Sequence, residues 1–142
     1  ISMVRNNARI LADKYNKDLI IIDGPPGIGC PVISAISGVD LVLIVTEPTL
    51  SGIHDMERIL GVAGHFNIPA VVCINKFDIN PGNTQLIEKY CAKNGLDVVG
   101  KIPYDETPTM AMIKEMTIVE FSDNDFSKNI EKIWENIKGK LK

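Results

Sequence analysis

Short apolar runs alternate along the chain with stretches in which apolar residues recur every three or four positions. Four runs are rich in β-branched residues and are predicted to be strands, over residues 19–23, 41–45, 70–75 and 97–102. Helical periodicity covers about residues 2–16, 51–66, 83–94 and 126–141. Continuous apolar runs are typical of parallel strands that are buried on both faces. The pattern therefore predicts an α/β fold, a doubly wound and mainly parallel sheet with helices on both faces.

The composition of the 142-residue chain fits one ordinary globular domain. Hydrophobic residues make up 45% of the sequence, which is enough for a core, and the net charge is −3. Binding to a nucleic-acid backbone depends on clustered Lys and Arg, so the mild acidity does not indicate a nucleic-acid partner. A nucleotide site stays open, since it needs only a local arrangement of side chains.

The three cysteines, Cys30, Cys73 and Cys91, lie far apart and form no C-x-x-C pair. They offer neither a disulfide framework nor the ligand set of a zinc or iron–sulfur site, so we expect reduced thiols in a cytoplasmic protein. No apolar stretch approaches the roughly 18 residues that suggest a membrane span. The last helix is interpreted as one that docks on the sheet, so peripheral membrane contact is not expected either.

Asp23 closes the first predicted strand, and a carboxylate in that place projects at the edge of the sheet where ligands of open α/β folds bind. One carboxylate and the oxygens of a phosphate can hold a Mg²⁺ ion that keeps most of its waters. This is the arrangement of a Walker B aspartate. The alternative is an Asp that caps the next helix, which the Pro25–Pro26 pair makes less natural.

The third predicted strand ends in Asn75-Lys76-Phe77-Asp78, and these residues predict recognition of a nucleotide base. Asn75 and Lys76 can buttress and cover a purine ring, and Asp78 could accept hydrogen bonds from guanine. The alternative is a simple turn in which Asn75 and Asp78 bond to the backbone before Pro81.

Two glycine patterns do not meet the requirements of phosphate-binding loops. Gly27-Ile28-Gly29 follows a strand as a dinucleotide fingerprint would, but Val32 stands where the third glycine belongs. Residues 95–101 match G-x-x-x-x-G-K, yet Ile102 replaces the required Ser or Thr and the segment is itself a strand. A dinucleotide-dependent dehydrogenase is therefore the least favoured interpretation.

Residues 18–29, 45–49, 74–78 and 102–105 carry four motifs in the order seen in MinD/ParA/Mrp-type P-loop ATPases. The run Asp-Gly-Pro-Pro-Gly-Ile-Gly-Cys-Pro-Val from Asp23 is similar to that of MinD-like ATPases with an inserted ferredoxin-type domain. The resemblance implies ATP and Mg²⁺ as cofactors and a partial P-loop NTPase fold. It also implies catalytic roles for Asp23, which would hold Mg²⁺ through water, and for Gly27 within residues 24–29, which resemble the γ-phosphate sensor switch II.

The same resemblance assigns the base side of the site. Asn75 resembles the residue that pairs with the adenine edge, next to Lys76. Pro103, Tyr104 and Asp105 resemble the loop that packs over the base and ribose. Residues 47–58 resemble the segment that lines the ATP-sandwiched dimer, so a homodimer of the longer protein is expected.

The chain begins at Ile1 within a helical pattern, so we expect residues 1–142 to be one domain, the carboxyl-terminal part of a MinD-like ATPase domain. The Walker A loop would then lie upstream, and so would any iron–sulfur domain with which the longer protein links ATP use to redox chemistry. Phosphate cradling dominates phosphoryl transfer, so this chain alone is not expected to hydrolyse ATP. Two alternatives stay open: a GTPase relative that uses Asn-Lys-x-Asp, and a non-catalytic interaction module of flavodoxin-like shape.

Overall fold

The computed structural model of the chain describes residues 2–25, 27 and 29–141. Within them, helices and strands follow one another as α1 (Ser2–Lys14), α2 (Cys30–Ile36), β1 (Val42–Thr46), α3 (Leu50–His65), β2 (Ala70–Asn75), α4 (Pro81–Lys93), β3 (Asp97–Ile102), α5 (Thr107–Ile113), α6 (Ile118–Phe121) and α7 (Asp125–Lys138). None of the helices in this part of the chain has the length and apolar character needed to span a bilayer.

The strands of the described residues form one parallel sheet in the order β1-β2-β3. Thr46 lies opposite Ile74, and Asn75 lies opposite Ile102. The carboxyl ends of the three strands therefore reach the same edge of the sheet, which is where the predicted site residues follow. The prediction of a parallel α/β sheet is confirmed.

Helices cover both faces of this sheet. On one face, α2, α3 and α4 pack on the strands around a buried cluster that includes Ile44, Met56, Val72, Ile74 and Ile87. On the other face, α7 packs against β2 and β3, where the buried residues are Val71, Cys73, Val99 and Ile133. Burial on two faces explains why β2 is apolar at consecutive positions and does not alternate.

Side-chain caps fix where the helices begin. Thr49 accepts the backbone N–H of Gly52 at the start of α3, and Asn80 accepts that of Asn83 at the start of α4. Each cap satisfies one of the amide groups that the first turn of a helix leaves without a partner. These caps matter for the site, because each of the two helices is joined to the preceding strand by one short loop.

The prediction of a strand over residues 19–23 is wrong. The segment is irregular, and Ile21 is 77% exposed in spite of its apolar neighbours. A strand forms only where a neighbouring backbone takes up its hydrogen bonds, and no described segment pairs with residues 19–23. Among the described residues, β1 likewise has a paired strand on one side only. Its Leu43 and Val45 are exposed, because α7 does not cover this part of the sheet.

The three thiols differ in access, and this predicts their reactivity. Burial raises the pKa of Cys73 to about 11, and burial followed by the charge of Glu88 raises the pKa of Cys91, whereas Cys30 is exposed. Since the thiolate is the nucleophile, iodoacetamide at pH 8 should label Cys30 alone in the native protein and all three after unfolding. Mass spectrometry of the alkylated peptides measures this. Labelling of Cys73 or Cys91 at the rate of Cys30 would contradict the packing.

The same burial has a consequence for stability. An unfolded Cys73 ionises near its ordinary pKa, while the folded thiol stays neutral up to about pH 11. The stability that Cys73 contributes as a buried neutral thiol is therefore fully present below the unfolded pKa. It is lost as the pH rises from the unfolded pKa to the folded pKa of about 11.

Candidate functional site

The candidate site is formed by the three loops that follow β1, β2 and β3. Glu47 comes directly after β1, Lys76 directly after β2, and Pro103 and Tyr104 directly after β3. Because the strands are parallel, these residues share one edge of the sheet, although the pairing of β2 with β3 shifts by one residue between Val72 and Cys73. The edge is the usual ligand position of open α/β folds.

An ion pair joins the first two loops. Nζ of Lys76 lies 2.8 Å from Oε1 of Glu47, and each side chain is 39% exposed. The hydrogen bond and the charge of Glu47 raise the pKa of Lys76, with a smaller contribution from Tyr104. Lys76 also has a φ of 51°, a left-handed conformation that a turn residue adopts at some cost. The pair holds Lys76 charged and directed toward the end of β1.

Two hydrogen bonds join the second loop to the end of β3 and to the loop that follows it. The backbone N–H of Tyr104 donates to Oδ1 of Asp78 over 2.7 Å, and the backbone N–H of Phe77 donates to the carbonyl of Ile102 over 3.1 Å. The Tyr104 side chain itself is 62% exposed. The loop after β3 is therefore fixed at its backbone while its aromatic ring faces solvent.

Asp105 has a structural partner of its own. Its Oδ1 accepts the backbone N–H of Thr107 at the start of α5 over 2.7 Å. The hydrogen bonds from the side chain and backbone of Thr107 lower the pKa of Asp105. Asp105 thus ties the third loop to α5, and the same bonds favour its ionised form.

Three polar residues that were not predicted as site residues form hydrogen bonds that stabilise the same loops. Nδ2 of Asn83 donates to the carbonyl of the buried Pro48 over 3.0 Å, and Oγ1 of Thr84 donates to the carbonyl of Phe77 over 2.6 Å. Oγ1 of the buried Thr46 donates to the carbonyl of Gly52 over 3.0 Å. The available signal was the Asn80-Pro81 helix start, which places Asn83 and Thr84 on the first turn facing the loops.

Asp23 and Gly27 lie in the irregular segment before α2, and both are exposed. In the described residues, no side-chain hydrogen bond or ion pair joins Asp23 to the three loops. Gly27 has a φ of 88°, a conformation that favours glycine. Pro26 and Ile28, which belong to the predicted switch segment, lie outside the described residues.

The structure therefore brings together Asn75, Lys76, Pro103, Tyr104 and Asp105, and does not connect Asp23 and Gly27 to them. No group of three or more His, Cys, Asp and Glu side chains in the described part of the chain could hold a metal ion. The nucleotide-binding and catalytic roles of all seven residues stay predictions.

Comparisons with known proteins agree with this architecture. The chain is 32% identical over 138 residues to the uncharacterized protein MJ0578 of Methanocaldococcus jannaschii, with 97% of this chain and 45% of that protein covered. It is 31% identical over 140 residues to an iron–sulfur cluster carrier protein of Pyrococcus abyssi, with 88% and 46% covered. Its structure is similar to the MinD cell division protein of Aquifex aeolicus, with a TM-score of 0.76, 23% identity, and 92% and 57% covered. The fold is that of the MinD/ParA-type ATPases.

The resemblance to MinD/ParA-type ATPases that the four motifs indicated is thus confirmed. The chain spans about half the length of the relatives it matches. No protein-family model matches the sequence. Within this fold, the loops after β1, β2 and β3 are joined by the Glu47–Lys76 ion pair and by the hydrogen bond between Asp78 and Tyr104.

Proposed function

We propose that the chain supplies the magnesium and adenine side of the nucleotide site of a MinD-like, ATP-driven switch ATPase. The observation that carries the proposal is the joining of three strand-end loops by the Glu47–Lys76 ion pair and the Asp78–Tyr104 hydrogen bond. The relatives, MinD/ParA-type ATPases and iron–sulfur cluster carriers, support membership of an ATPase family.

On the base side, the Asn75 amide carries both a donor and an acceptor, as the edge of adenine requires. The exposed Tyr104 ring offers an apolar face on which a base can stack. Pro103 and Asp105 are the chain neighbours of Tyr104, and the Tyr104 side chain is close enough to Lys76 to contribute to the raised pKa of Lys76. The side chains present therefore fit an adenine nucleotide.

On the magnesium side, the single exposed carboxylate of Asp23 fits an ion that binds through water and phosphate oxygens. Bound Mg²⁺ supplies charge neutralisation at the transferring phosphoryl group. Gly27, at a positive φ, allows the switch segment to change backbone conformation when a γ-phosphate is gained or lost.

We place residues 1–142 as the carboxyl-terminal part of such an ATPase domain, with the phosphate-cradling loop supplied from outside these residues. Residues 47–58 would face the second protomer of an ATP-bound homodimer, and His54 and Arg58 on that segment are exposed. An iron–sulfur cluster would be cargo of the longer protein. We assign nucleotide binding to this chain, because it is the role that the three joined loops support.

The test is a titration of the isotope-labelled chain with Mg²⁺-ATP, followed by amide chemical shifts. We expect shifts that concentrate at Asn75, Lys76 and Tyr104, with weaker ones for GTP and no release of phosphate. Asn75→Ala should remove them, and Asn94→Ala, an exposed Asn at the end of α4, is the matched control.

Each other result has a definite meaning. Equal or stronger shifts with GTP would favour the GTPase alternative. Absence of shifts with either nucleotide at millimolar concentration would favour the interaction module. Steady hydrolysis by the chain would contradict the assignment of the phosphate loop to another segment.

A further inference from the structure

Asp78 occupies the position at which an Asn-Lys-x-Asp sequence would read a guanine base, yet its carboxylate is already engaged. Oδ1 accepts the backbone N–H of Tyr104, which is 26 positions away in sequence, over 2.7 Å. A hydrogen bond from an amide to a carboxylate is charge-assisted and about twice as strong as one between neutral groups. The bond therefore has the strength to fix a loop.

The Asp78 side of this bond is the rigid side. The backbone N–H of Phe77 extends the β2–β3 ladder to Ile102, and Oγ1 of Thr84 holds the carbonyl of Phe77 from α4. Lys76, one residue earlier, is held by Glu47. Asp78 thus projects from a segment that is tied to β3, α4 and the first loop.

On the Tyr104 side of the bond, the backbone is held but the side chain is exposed. Its backbone amide is bound by Asp78, whereas its ring is 62% exposed. The next residue, Asp105, is bound to Thr107 of α5. The loop after β3 therefore has two carboxylate ties, one at each end of the Tyr104–Asp105 pair, and the first of them fixes the backbone from which the Tyr104 ring projects.

We propose that Asp78 is a positioning residue that locks the backbone of Tyr104, so that the Tyr104 ring is held ready for the base of the bound nucleotide, and that Asp78 does not read the base. This rests on the proposed function, because it assigns the base platform to Tyr104. The N–H of Tyr104 uses one acceptor site of Oδ1 and fixes how the carboxylate is turned, so Asp78 has a structural partner whether or not a base is bound.

The test compares Asp78→Ala with Asp78→Asn, which keeps an acceptor oxygen at the same place. In the chain without nucleotide, Asp78→Ala should speed hydrogen exchange of the Tyr104 amide about tenfold, as loss of a bond to a charged group implies. Asp78→Asn should keep most of that protection. Asp123→Ala, a change at a carboxylate that is 92% exposed, is the matched control and should alter nothing at Tyr104.

The second readout is nucleotide affinity, measured by the ATP and GTP titrations described above. Asp78→Ala should weaken ATP binding about fivefold or more, Asp78→Asn should restore it to within about twofold, and the ATP:GTP ratio should be unchanged in both. A changed ratio in Asp78→Asn would show that Asp78 reads the base and would overturn the proposal. Unchanged exchange at Tyr104 in Asp78→Ala would overturn it as well.

The two readouts separate this inference from the proposed function. If the wild-type chain bound neither nucleotide, the proposed function would fail whatever the exchange data showed, and the assignment of the Tyr104 ring to a base would fail with it. If the wild-type chain bound ATP while Asp78→Ala bound it equally well, only the positioning role would fail. Amide exchange in β2 and α4 reports in each variant whether the surrounding fold is intact.

Discussion

Replacing Gly52 with Ala is expected to lower the free energy of unfolding by about 2 kcal/mol, although Ala is the better helix former. A Cβ at this position would overlap the backbone oxygen of Glu47 and would lie 3.0 and 3.1 Å from the hydroxyls of Thr49 and Thr46. A backbone oxygen cannot rotate away as a side chain can. The connection between β1 and α3 must therefore shift, which strains the hydrogen bonds of Gly52 to Thr49 and Thr46.

Gly61→Ala supplies the matched control, because Gly61 lies in the same helix and a Cβ there would meet nothing within 4 Å. It is expected to raise stability by about 0.5–1 kcal/mol, the helix-propensity difference alone. Denaturant unfolding followed by circular dichroism measures both variants. The decisive result is the opposite sign of the two changes. Stabilisation by both would show that the loop after β1 yields without cost.

Gly52→Ala should also disturb the candidate site, since Glu47 directly follows β1 and holds Lys76. We expect amide shifts to spread from Glu47 to Lys76, whereas Gly61→Ala should leave both unchanged. A change that destabilises the loop after β1 is thus also expected to displace the Glu47–Lys76 ion pair.

The strands β2 and β3 could be predicted to the residue, because β2 is a short apolar run and β3 is centred on the apolar pair Val98 and Val99, with turn residues beyond each strand. The helix α7 could be predicted from its apolar stripe. By contrast, α5 and α6 were not predicted. α5 is a seven-residue helix that starts at Thr107 and has Pro108 in its first turn. α6 has only one turn and is stabilised by a capping box between Thr117 and Glu120. Elements this short depend on caps and on packing more than on periodicity.

The segment 19–23 shows what a local pattern cannot determine. Its composition is as typical of a strand as that of β2, and both contain several β-branched residues. The difference is that β2 lies between two neighbours and residues 19–23 have none among the described residues. Strand formation is a property of a pair, so sequence alone predicts the propensity of the segment but not its state.

The location of the candidate site could be predicted, but its hydrogen bonds and its ion pair could not. Parallel strands brought Asn75 and Tyr104 to one edge, as the pattern predicted. The engagement of Asp78 by a backbone amide could not be predicted, because the two residues lie in different loops. The pattern likewise did not predict that Lys76 adopts a left-handed backbone conformation and pairs with Glu47.

The second large effect is expected at the contact between β3 and α7. A Cβ on Gly100 would overlap Cγ1 and Cδ1 of the buried Ile133 and would lie 3.4 Å from its Cβ. The helix cannot easily retreat, because Asn129 and Asn136 of α7 donate to the carbonyls of Lys101 and Val99, each over 2.8 Å. Gly100→Ala is therefore expected to cost about 2–3 kcal/mol of unfolding free energy.

Ile133→Ala alone should cost about 2–4 kcal/mol, since it leaves a cavity between α7 and the sheet. In the double variant the new methyl group at position 100 occupies part of that cavity and meets a Cβ at an ordinary contact distance. Its cost should consequently be smaller than the sum of the single costs by at least about 1 kcal/mol. Ile113→Ala, at an exposed position of α5, is the control and should change stability by about 0.5 kcal/mol or less. Simple additivity of Gly100→Ala and Ile133→Ala would mean that the two residues do not touch, and the packing of α7 on β3 would have to be revised.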